Sequence, residues 1–73
     1  MIDNEEKKNI ESELISIYND LKEIGYEPKE QIVSYLISGD PGYISSHNDC
    51  RNRITKYKRE DIINIMLDTF INK

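Results

Sequence analysis

The stretch Gln31–Ile54, QIVSYLISGDPGYISSHNDCRNRI, decides the fold of this chain. Its first part carries Ile32, Val33, Tyr35, Leu36 and Ile37. A short helix with apolar residues on nearly every side is buried on more than one face. This segment is therefore expected to be the central element, with these five residues as core or dimer contacts, covered by neighbouring helices or by a second chain. Gly39 ends it, and Asp40-Pro41-Gly42 gives a tight turn, because proline fixes φ and glycine permits positive φ. Beyond the turn, Ser46 followed three residues later by Asp49 reads as a capping box with Asp in the usual Glu position. The third helix opened by that cap carries His47, Cys50, Ile54 and Tyr57 on one face.

Outward from this stretch the periodicity stays helical. Ile10, Leu14, Ile17, Leu21 and Ile24 recur at spacings of three and four, an amphipathic helix with Tyr18 beside its stripe. Gly25 is the expected left-handed stop, and Pro28 falls where a first-turn proline opens the next helix. Ile62, Ile63, Met66, Leu67, Phe70 and Ile71 place a last helix at the end of the chain. The join Lys58-Arg59-Glu60-Asp61 lacks glycine, proline or a strong cap, so helices three and four are either separate or one bent helix. No stretch alternates long enough for a sheet. The expectation is an all-α fold: a compact bundle of about four short helices in a single domain over residues 1–73.

With 73 residues, 37% of them hydrophobic and 33% charged, the chain has material for a core but only a small one. Cores of this size typically supply about 3–5 kcal/mol and are often supplemented by disulfides, a metal or self-association. Cys50 is the single cysteine, which excludes an internal disulfide and a zinc site of several thiolates. Self-association is what remains, and a homodimer is expected. No apolar run approaches the ~18 residues of a membrane span, and no signal-peptide core follows Met1. A net charge of -4 disfavours general nucleic-acid binding. The charge is uneven: Asp3, Glu5, Glu6, Glu11 and Glu13 make the start acidic, while Arg51, Arg53, Lys56, Lys58 and Arg59 make a basic stretch.

The cluster of His47, Asp49, Cys50 and Arg51 invites a catalytic reading, since a helix would bring Cys50 near His47. Asp49, however, points about a hundred degrees away from Cys50 on such a helix and serves better as a cap. No enzyme and no cofactor are expected. A metal site would need ligands from two faces of one helix, unless a symmetric dimer doubled the set; a small metal-binding protein is the remote alternative. The basic residues with His47 read either as a solvated face or as a docking surface, for which guanidinium groups are suited.

Taken together, Ile17-Tyr18, Gly25-Tyr26-Glu27-Pro28, Gln31-Ile32-Val33, Tyr35-Leu36, Ser38-Gly39-Asp40-Pro41 and Tyr43-Ile44 resemble the IreB family of small regulatory phosphoproteins. So do Asp49, Arg51, Ile54 and the run Lys58-Arg59-Glu60-Asp61-Ile62-Ile63. The resemblance implies a cytoplasmic, helical, dimeric and non-enzymatic protein of Gram-positive bacteria. It implies partners such as a membrane Ser/Thr kinase with PASTA repeats, Clp protease components or a cell-wall enzyme, in control of cell-envelope homeostasis. On that footing His47, Arg51, Arg53, Lys56, Lys58 and Arg59 are the expected partner-binding residues. The family's N-terminal phosphothreonine segment has no matching position here, because the only threonines are Thr55 and Thr69. Thr55, among basic residues, is then the better possible phosphosite. A helical dimeric interaction module outside the kinase pathway is the alternative.

Overall fold

The computed structural model describes residues 3–72. Helix α1 spans Asn4–Glu23, α2 Pro28–Ser38, α3 Cys50–Ile54 and α4 Arg59–Ile71, with single 3₁₀ turns at Pro41–Tyr43 and His47–Asp49. The described residues contain no strand. Helices three and four are separate, joined by the turn around Thr55–Lys58.

Helix α1 begins well before its apolar stripe because Asp3 caps it, the carboxylate accepting the Glu6 amide hydrogen bond at 2.8 Å. Glu5 and Glu6 in the first turn and Lys22 in the last complement the helix dipole. At the other end the Tyr26 amide donates to the Leu21 carbonyl and the Gly25 amide to the Lys22 carbonyl. With Gly25 at φ +86°, this is a Schellman closure, which a left-handed residue without Cβ permits.

Pro28 then opens α2 at its first position, and Gly39 closes it at φ +77°. The space beside Gly39 is filled by Arg59, whose guanidinium donates to the Leu36 carbonyl at 3.1 Å. A Cβ on residue 39 would lie 2.8 Å from the guanidinium carbon. Gly39→Val is therefore expected to destabilise the fold by about 2 kcal/mol, from left-handed strain on a β-branched residue and loss of the Arg59 bond. Thermal melts of the two proteins check this, and equal melting temperatures would contradict it. The turn that follows is self-supporting. Asp40 accepts from the Gly42 amide at 2.8 Å, and the Ser38 hydroxyl accepts from the Asp40 amide at 3.0 Å.

The core joins all four helices through Ile10, Ile17, Leu21, Ile32, Tyr35, Leu36, Ile44, Cys50, Ile54, Ile62 and Ile65, with Leu14 and Tyr57 packed against it. The structure places two sets of apolar residues and corrects one expectation, the capping box. Within α2, Val33 is 41% exposed and Ile37 79% exposed; only Ile32, Tyr35 and Leu36 of the expected five are in the core of the chain. The long side of α4, with Ile63, Met66, Leu67, Phe70 and Ile71, faces outward, while Ile65 takes the inward position beside Ile62. Ser46 and Asp49 form no capping box. Neither side chain caps α3, and Asn48 and Asp49 are both left-handed at φ +49° and +61°. Helix α3 accordingly starts only at Cys50, leaving His47 in the preceding 3₁₀ turn.

Candidate functional site

The left-handed pair at Asn48 and Asp49 is uncommon for residues with a Cβ and needs outside support. Arg53 supplies it. One Arg53 nitrogen, Nη1, donates to the Asn48 carbonyl at 3.1 Å and pairs with Asp20 at 2.7 Å. The Nε atom pairs with Glu13 at 2.9 Å, and Nη2 donates to the Ser16 hydroxyl at 2.8 Å. All of this occurs with only 16% of the Arg53 side chain exposed. Arg53 thus clamps α3 and its entry loop to α1. It was expected on a partner surface, but its guanidinium is committed to the chain's own carboxylates. The hydrogen bond from Arg53 holds the Glu13 and Asp20 carboxyls below the ordinary carboxylate range.

Cys50 lies under this clamp, fully buried, its Sγ 4.0 Å from the Ile17 carbonyl oxygen. Burial pushes the thiol up, away from the thiolate that a nucleophile or metal ligand requires. His47 is placed by its own backbone, the amide donating to the Ser45 hydroxyl at 3.1 Å. The Ser45 amide in turn donates to the Gln31 side-chain oxygen at 3.0 Å, which fastens this loop to α2. Among the described residues, no group of three His, Cys, Asp or Glu side chains is arranged to hold a metal ion.

On α3, Arg51 lies roughly 200° around the helix from Arg53, so the basic stretch divides. Arg51 is exposed, with Nε donating to the Ile44 carbonyl at 2.9 Å. Lys56 and Lys58 are exposed and His47 half-buried, while Arg59 is bound at one nitrogen to the end of α2. The basic groups left to solvent are Arg51, Lys56 and Lys58, with His47 half-buried and part of Arg59; Lys56 lies on the Glu13 side and His47 on the Asp20 side of the clamp, apart from Arg51. Thr55 is exposed beside Arg51, its hydroxyl donating to the Arg51 and Asn52 carbonyls, both at 3.1 Å.

A second surface was only partly legible in the sequence. Leu14, Ile15, Tyr18, Ile32, Val33 and Met66 line an apolar groove of about 260 Å3 between α1, α2 and α4. It adjoins another of about 350 Å3 that shares Leu14, Ile15 and Met66 and reaches Phe70. Ile15, 62% exposed, lines both. The signal that could have located it is the pair Ile15 and Tyr18, one step off the main stripe of α1.

No helix among the described residues is long and apolar enough to cross a membrane. The family model described as IreB regulatory phosphoprotein matches residues 1–72. The all-helical fold, the Gly25-to-Ile44 framework and this match over nearly the whole sequence establish that the chain belongs to the IreB family of regulatory phosphoproteins.

Proposed function

We propose that this protein is a non-enzymatic adaptor, a homodimer closed over the α1–α2–α4 apolar face, that binds other proteins through the basic surface of α3. The setting is the cytoplasm of a Gram-positive bacterium, in control of cell-envelope homeostasis linked to a PASTA-repeat Ser/Thr kinase. Partners of that pathway are the kinase, Clp protease components and a cell-wall enzyme. The observation that carries the reading is Arg51: an exposed guanidinium held by a backbone carbonyl on a short helix that the Arg53 clamp fixes to the body. A preorganised arginine loses less freedom on docking than one on a flexible segment.

A second reading is favoured by Thr55. Its hydroxyl is engaged at the end of α3, and Thr69 lies within α4, so a kinase needs local opening to reach either. A dimeric interaction module without a phospho-switch fits those two positions. Capture from native lysate on immobilised wild-type and Arg51→Ala protein tests the adaptor reading. Arg51→Ala should keep the fold, because an exposed arginine contributes about 1 kcal/mol or less. It should also retain at least tenfold less of the specific protein partner, as expected when about 1.4 kcal/mol or more of an arginine anchor is removed. Identical capture by the two proteins would return Arg51 to a solvated face.

A further inference from the structure

Glu30, Gln31 and Ser34 share one face of α2 by their spacings of one, three and four, and Glu27 stands at the N-cap of the same helix. Tyr26 precedes them, and the 3₁₀ turn brings Tyr43 alongside. Together these six residues line a shallow recess of about 370 Å3. Both tyrosines are half exposed, at 50% and 51%.

The recess is held from several directions. The Tyr26 amide belongs to the closure of α1, donating to Leu21 at 3.2 Å. The Tyr43 amide donates to the Asp40 carbonyl at 3.2 Å, in the turn that Asp40 also grips through Gly42. Gln31 is fixed by the Ser45 amide. Neither glutamate is in an ion pair among the described residues, where Arg53 makes the ion pairs with Glu13 and Asp20. Lys29 lines the adjoining hollow with both glutamates, so one cation stands against two carboxylates there.

Two half-exposed phenol rings and two carboxylates lining one recess suit a planar cation. An anion meets the glutamates, and an apolar side chain strips water from them with nothing in return. A guanidinium stacks on a tyrosine ring and donates from its fork to carboxylates, which a compact ammonium does less well. We propose that this recess is a docking site for an arginine side chain presented by a protein partner. The inference rests on the adaptor reading and gives the molecule a second face, opposite in charge to the Arg51 surface and separate from the apolar groove.

The test is an NMR titration of the full ¹⁵N-labelled chain with a blocked Gly-Ser-Arg-Ser-Gly peptide, alongside its lysine and citrulline counterparts. Saturable shifts are expected at Tyr26, Glu27, Glu30, Gln31, Ser34 and Tyr43. They should be weaker with lysine and lost with citrulline. Affinity should fall at least tenfold in Tyr43→Ala and in the double variant Glu27→Gln/Glu30→Gln, with the rest of each spectrum unchanged. Arg51→Ala should titrate like wild type, so a failure of the basic surface and a failure of the recess are distinguishable. Shifts as large at Glu5 and Glu6 as in the recess, or none up to the peptide's solubility, would overturn the proposal. So would a changed sedimentation mass of the double variant, which would assign the recess to an arginine of a second copy.

Discussion

Arg53→Ala is expected to lower the melting temperature by roughly 10 °C, from a loss of about 2 kcal/mol in a domain of this size. The substitution removes hydrogen bonds to Glu13, Asp20, Ser16 and Asn48 at once and leaves the left-handed pair Asn48–Asp49 without its carbonyl anchor. The loss is smaller than for a fully buried pair, because the carboxylates are 27% and 22% exposed and water takes up part of their charge. The dependence on pH has a definite sign. Glu13 and Asp20 are held below their ordinary range in the folded state, so their contribution is complete above that range. It is lost as the pH falls through their lowered folded values, beneath the ordinary carboxylate range. The gap in melting temperature between wild type and Arg53→Ala should therefore be full at pH 7 and close on acidification below that range. A gap that is absent at pH 7, or constant down to pH 2, would show that the clamp is not what fastens α3.

What the sequence disclosed follows from how local each cause is. Gly25, Pro28 and Gly39 act through backbone geometry within a few residues, and each stands where its side chain, or lack of one, dictates. The stripe of α1 is equally local, and Ile10, Ile17 and Leu21 face the core. The loop at Ser46–Asp49 was misread because its conformation is set from a distance. The carboxylates that hold Arg53 lie 40 and 33 residues away in the chain, and no local pattern marks them as its partners. In sequence Arg53 is one more cation in a basic run; in space it is the joint of the fold. Arg59 is similar, since its bond to Leu36 spans 23 residues. Val33 and Ile37, expected as core or dimer contacts, lie outside the core of one chain. Apolar character marks a residue for burial without saying which chain buries it.

That distinction sets the second large effect. In the proposed homodimer, Ile15→Asp should raise the dissociation constant at least a hundredfold while the monomer fold persists. Ile15 is mostly exposed within one chain, so the substitution costs the isolated fold only about 0.5 kcal/mol of helix propensity. At the centre of a closed apolar interface the same carboxylate would be buried without a partner, a cost of several kcal/mol. Helical circular dichroism at low concentration would separate loss of the dimer from loss of the fold. A variant that associates like wild type would exclude this face as the interface.

The most direct measurement is sedimentation equilibrium of the wild-type protein at micromolar concentration. The proposed homodimer requires a species of twice the 8.6 kDa chain mass, dissociating on dilution or in Ile15→Asp. A single species of one chain mass that still melts cooperatively would contradict it, for the chain would then be stable with Ile15, Val33, Ile37 and the outer side of α4 in water.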